Sequence, residues 1–233
     1  MVKKLPSLSI FFPFYNEEAN IAAQAKDALK IAPNFAQKWE IILVNDGSAD
    51  KTGQIAQELA QKYPGVRAVS HPQNRGYGAA VKTGLKKSRY DWIFFSDGDR
   101  QFNLKELEKL VEKSDQADLV IGYRQKRADS FIRLANAKLF NFLIRILFGL
   151  KAKDIDCAFK LIKKEVVENI WPLKSDGALV SSELLIKAKK KGYKIIEVPV
   201  SHRPRQAGKQ TGANPRVIFK AFYDIAALWR ELK

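Results

Sequence analysis

The chain has 233 residues, 46% of them hydrophobic, with 41 Lys and Arg against 25 Asp and Glu, a net charge of +16. That length and apolar share fit one large globular domain, or a domain with a small appendage, and a sizeable core. The positive excess points to phosphorylated ligands or an anionic membrane face, while the missing zinc-finger spacing and RNA-binding aromatic signature set nucleic acid aside.

Cys157 is the single cysteine, which excludes an internal disulfide and suits a reducing compartment. No stretch has the pattern of a signal peptide, and no apolar run approaches the roughly 20 residues that span a bilayer. The expectation is a cytoplasmic protein, peripheral to the cytoplasmic membrane face.

In chain order the pattern alternates strand and helix. Strands are expected at Leu8 to Phe14, Glu40 to Val44, Val66 to Ser70, Asp91 to Ser96 and Asp118 to Gly122. Helices are expected at Glu17 to Ile31, with acidic residues in the first turn, and at Asp50 to Tyr63, Gly76 to Ser88 and Leu104 to Lys113. The alternation predicts an α/β fold, a mostly parallel sheet with helices on both faces and ligands at the carboxyl ends of its strands. Beyond residue 125 the pattern loosens: a long helix at Phe131 to Leu150, an edge strand at Ala158 to Ile162, a helix at Ser181 to Lys191 and a strand at Lys194 to Val200. A basic loop, Arg203 to Asn214, precedes an amphipathic helix at Val217 to Leu232. The expected organisation is one domain over 1–210 and a C-terminal helical extension over 211–233.

The polar clusters follow predicted strands. Trp92-Ile93-Phe94-Phe95 leads into Ser96-Asp97-Gly98-Asp99-Arg100-Gln101. Residues i and i+2 of a strand point the same way, so Asp97 and Asp99 can converge on one point. Two anionic oxygens there suit a hard dication that keeps positions open for a diphosphate; in isolation Asp-Gly-Asp is also an ordinary solvated turn. At the centre of a sheet, however, unpaired carboxylates are costly. Asp46 in Asn45-Asp46-Gly47-Ser48 reads as a turn residue or as an acceptor for a base edge or ribose hydroxyl. Asn74-Arg75-Gly76-Tyr77-Gly78 reads as a tight helix start or as a weak phosphate loop. Arg100 either pairs with phosphate or points to solvent.

Phe14-Tyr15-Asn16-Glu17, Asn45-Asp46-Gly47-Ser48, Asn74 to Ala80 and Asp97 to Phe102, in this order, resemble the inverting family 2 glycosyltransferases, and among them the polyprenol-phosphate sugar synthases. The resemblance covers about residues 8 to 210. It implies a GT-A fold, a nucleoside-diphosphate sugar donor and Mg²⁺ or Mn²⁺ held by Asp97, Asp99 and Gln101. It places Pro13, Tyr15, Glu17 and Asp46 on the nucleoside, with Gly76, Lys160, Arg205 and Lys209 among the donor-binding residues, and Arg124 and Arg133 on an acceptor phosphate. Lys160 stands where the family has Arg, which weakens bidentate phosphate binding there. The implied reaction moves a hexose, with inversion, to a polyprenyl phosphate. That acceptor is already ionised and needs positioning more than a base. A sugar hydroxyl acceptor would require a carboxylate base, Asp156 or Glu183, of which Glu183 also reads as a helix-end residue. A non-catalytic nucleotide-sugar-binding subunit is the remaining reading, and the intact Asp97, Asp99 and Gln101 argue against it.

Phe131 to Leu150 reads as a core helix or as one lying in a membrane interface with its cations near anionic headgroups. The C-terminal helix admits both readings and a third, docking to a membrane-spanning partner protein.

Overall fold

A computed structural model describes residues 3–125, 131–205, 224–230 and 232, without the side chains of 131–138. Seven strands form one sheet in the order β3-β2-β1-β4-β6-β5-β7. The first four are β1 (Leu5–Phe14), β2 (Ala36–Asn45), β3 (Val66–Ser70) and β4 (Trp92–Ser96); β5 is Leu119–Arg124, β6 Phe159–Lys163 and β7 Ile195–Val200. The helices are α1 (Ile21–Phe35), α2 (Thr52–Lys62), α3 (Tyr77–Lys87), α4 (Leu107–Val111), α5 (Phe131–Phe148), α6 (Lys164–Ile170) and α7 (Val180–Lys190).

β1 and β4 are near-continuous apolar runs, as strands covered on both faces must be. Phe11 of β1 stacks on Phe95 of β4, with ring centroids 5.1 Å apart. β1 pairs in parallel with β2 and with β4, so the carboxyl ends of these three strands lie side by side, as expected. α1 buries Ile21, Ala25, Ala28, Ile31, Ala32 and Phe35 at helical spacing against the sheet.

Three expectations change. The strand expected at the edge, β6, lies inside the sheet, antiparallel to both β4 and β5. Phe159, Lys160, Leu161 and Ile162 are all buried, which an edge position would not do; β7 takes the edge instead. α1 begins at Ile21, so Glu17 and Glu18 precede its first turn and bond to loops instead. The helix expected over Leu104 to Lys113 divides into a 3-10 turn at Leu104–Glu106 and α4. α6 was not foreseen. Of the expected C-terminal helix, residues 224–230 and 232 are described and helical; the rest lies outside the described residues.

Candidate active site

The β1, β2 and β4 ends are laced together. The amide of Asn16 donates to Ser48 Oγ at 2.9 Å, and Ala49 N returns a bond to Asn16 Oδ1 at 2.9 Å. Glu17 N donates to Thr52 Oγ1 at 2.8 Å. Tyr15 is 42% exposed at the mouth, whereas Pro13 is buried within β1, opposite Val44.

Asp46 is turned inward. Its carboxylate accepts from the His71 ring at 2.6 Å, Arg75 N at 3.0 Å and Gly76 N at 2.9 Å, and the residue is 2% exposed. In this structure it ties the end of β2 to the loop before α3. His71 bonds Thr83 Oγ1 from its other nitrogen at 2.8 Å, a link that no sequence motif announced.

Asp97 and Asp99 sit partly exposed where β4 leaves the sheet. Gly98 separates them for a steric reason: a Cβ there would lie 2.3 Å from the Phe14 ring. Burial, and next the Asp99 charge, push the Asp97 carboxyl up to about 7, against a hydrogen bond from Tyr77 and the charges of Arg124 and Lys160. Burial and the Asp97 charge push the Tyr77 phenol well above its ordinary value. A pair of crowded carboxylates of this kind fits a dication, which would relieve their repulsion. Among the described residues no group of three or more His, Cys, Asp and Glu side chains is arranged to hold a metal ion. Gln101 is buried beside them; its amide Nε2 donates to Arg203 O at 2.8 Å, and its backbone N to Asp99 Oδ1 at 3.1 Å.

Arg205 reaches the same place from the far end of the chain. Its Nη1 lies 3.5 Å from Asp99 Oδ2, and its Nη2 pairs with Glu17 Oε1. Arg100 does not join them. With a left-handed backbone (φ 62°) it turns onto α1 and pairs with Asp27 at 3.1 Å, its side chain still 37% exposed.

Other expected residues take less direct positions. Lys160 is wholly buried and donates to Ile155 O at 3.1 Å and to Cys157 O. Burial lowers its pKa, opposed by nearby Cys157, Asp156, Asp154 and Asp97. The Cys157 thiol is pushed by burial, then by Asp154, up to about 12. Arg124 is held by Asp154, with Nε at 2.6 Å and Nη2 at 2.8 Å. Burial opposes its charge, but the Asp154 bonds outweigh that and raise its pKa. Asp154 is thus a residue the sequence reading passed over. Asp156 is partly exposed nearby, close enough to act electrostatically on Tyr77 and Arg124. Glu183 is buried on α7, bonded to Lys174 N and Ser175 N. Gly76 and Gly78 pass close to the 175–177 backbone rather than opening a loop: a Cβ on either would come within 2.6–2.7 Å of it. The Arg133 side chain and Lys209 lie outside the described residues.

A family model described as "Glycosyl transferase family 2" matches residues 9–171. The chain is 30% identical to an undecaprenyl-phosphate 4-deoxy-4-formamido-L-arabinose transferase of Edwardsiella ictaluri, across 96% of this chain and 68% of that protein. It is 29% identical to a dolichyl-phosphate beta-glucosyltransferase of Saccharomyces cerevisiae, across 83% of this chain and 66% of the other. The chain therefore spans about two thirds of the length of these relatives. In three dimensions it resembles glucosyl-3-phosphoglycerate synthase from Mycobacterium tuberculosis, solved with Mn²⁺, uridine diphosphate and phosphoglyceric acid. The TM-score is 0.76 at 18% identity, over 96% of this chain and 78% of that one. At that identity the likeness establishes the fold, which is of the GT-A type.

Proposed function

The chain belongs to glycosyltransferase family 2, and from that premise we propose that it transfers a hexose, with inversion, from a nucleoside-diphosphate sugar to a polyprenyl phosphate. The observation that carries the donor half is the Asp97–Asp99 pair at the end of the central strand β4, flanked by Arg205. Mg²⁺ or Mn²⁺ would be held by Asp97 and Asp99 with the amide oxygen of Gln101. Bound there, the cation would supply charge to offset that growing on the departing diphosphate. Arg205, beside Asp99 and Glu17, would add to the same effect from the protein side. Tyr15, exposed at the mouth, would pack against the nucleoside.

The acceptor is drawn from the two relatives, both named for transfer to a lipid phosphate. An ionised phosphate attacks without losing a proton, so the protein's part is to orient it. Arg124, fixed by Asp154, would supply a preset charge at the end of β5, one strand beyond β6. Among the described residues no helix is long and apolar enough to cross a membrane. α5 nonetheless exposes Leu139 (50%), Phe142 (57%) and Ile146 (62%) on one face, with exposed Arg145, Lys151 and Lys153 near its end. We place this face against anionic headgroups, where each cation adds about 1 kcal/mol.

The test is a donor panel with Mn²⁺, read by release of nucleoside diphosphate with and without a polyprenyl phosphate. Release that requires the lipid phosphate is the expected result. Turnover only with a sugar or polysaccharide acceptor would overturn the acceptor assignment.

A further inference from the structure

Glu183 lies in the first turn of α7 and is 1% exposed. Its Oε1 accepts from Lys174 N at 2.8 Å and from Lys187 Nζ at 2.7 Å. Its Oε2 accepts from Lys174 N at 3.0 Å and from Ser175 N at 2.8 Å. A carboxylate offers about four lone-pair sites, so these bonds fill it. Both of its oxygens are thereby engaged by the protein itself.

What Glu183 does hold is the loop from Lys174 to Asp176. That loop crosses the start of α3, where Asp176 O accepts from Gly78 N at 2.9 Å. Lys82 of α3 fastens the contact, bridging Asp176 Oδ1 at 2.6 Å and Lys174 O at 3.3 Å. The fit is tight: a Cβ at Gly78 would lie 2.6 Å from backbone atoms of Ser175, Asp176 and Gly177. On the opposite flank Gly76 N is bound by Asp46 at 2.9 Å. Tyr77 is thus gripped on both sides, with its phenol near enough to Asp97 to interact with that carboxylate.

We propose that Glu183 is a positioning residue: by fixing the Lys174–Asp176 loop it seats the first turn of α3 and so sets Tyr77 against Asp97. The inference rests on the reading of Asp97 as the cation and diphosphate anchor. It also assigns the glycines of Asn74-Arg75-Gly76-Tyr77-Gly78, which leave room for that loop. Tyr77 orients one carboxylate of the pair, as a partner behind a metal ligand does.

The experiment compares Mn²⁺ affinity of the full chain, by electron paramagnetic resonance titration without donor, for wild type, Glu183→Gln, Gly78→Ala and Tyr77→Phe. Each variant is also melted, and the pH profile of kcat is recorded. Each substitution is expected to weaken Mn²⁺ binding by about tenfold. Tyr77→Phe should do so at an unchanged melting temperature, and the limbs of the pH profile should stay where they are in wild type. Glu183→Gln that abolishes turnover while leaving Mn²⁺ affinity intact would overturn the proposal and make Glu183 a base. Wild-type affinity in Tyr77→Phe would overturn it equally. Should Glu183→Gln fail to fold, Gly78→Ala and Tyr77→Phe decide the matter. A wild-type protein that binds no Mn²⁺ would instead sink the reading of Asp97 itself, and this inference with it.

Discussion

The ends of β1, β2 and β4 and the end of β5 are built on different principles. At the first three, loop amides and short polar side chains exchange many neutral hydrogen bonds, and the carboxylates Asp97 and Asp99 stand crowded together. At β5 one buried ion pair, Arg124 with Asp154, does most of the fixing, above a floor made by the buried Lys160 and Cys157. The first region leaves two crowded carboxylates with one guanidinium, that of Arg205, beside them. The second arrives with its positive charge already paired. A site of the first kind should fail through loss of ligand, and one of the second kind through loss of structure.

Substitutions can break that contrast. Asp99→Asn should have the largest effect, lowering turnover by about 10³-fold with little change in melting temperature, as removal of an electrostatic contributor at the reacting centre does. Diphosphate release and a melting curve on the same sample check it. Asp154→Asn should act the other way round. It leaves the Arg124 guanidinium buried without its partner, which costs about 3 kcal/mol or more and lowers the melting temperature by roughly 6 °C or more. Equal stability of the two variants would erase the distinction between the regions.

A smaller effect concerns the outer strands. The Lys163 ammonium, together with Lys194 N, holds the Asp118 carboxyl below its usual 3.8. A depressed carboxyl stabilises the fold above its unfolded pKa, and that contribution is lost as pH falls through the folded value. Asp118→Asn should therefore flatten the acid limb of stability below about pH 4, by no more than about 1 kcal/mol for so exposed a pair. Urea melts at pH 3 and pH 6 measure it.

Much of this was legible in the sequence because it is carried by local pattern. Apolar runs ending in Asn-Asp-Gly and Asp-Gly-Asp told where strands stop and what waits at their ends, and the strand–helix alternation told that those ends are neighbours. The sheet position of β6 was not legible. A five-residue apolar strand reads alike at an edge or inside, and only its pairing with both β4 and β5 decides. Nor were the partners of Asp46, Arg124 and Glu183 legible, because, apart from Lys187 four residues after Glu183, each is met by backbone or side chains 8 to 30 residues away along the chain. Tyr77 could have been suspected from its place between two glycines. Those glycines drew attention to a phosphate when the close neighbour was the protein's own backbone.

The reversed strand β6 has a consequence of its own. Running against β4 and β5, it leaves those two strands pointing the same way while standing between them. Neighbouring strands lie about 4.8 Å apart, so the backbones that carry Asp99 and Arg124 leave the sheet about 10 Å from each other. β6 is in that sense a spacer, a fixed gauge set into the sheet. Its width is held by the backbone ladder, not by any side chain in the cleft. Substitutions among the cleft residues could change the side chains at either end without altering the distance between these two backbones.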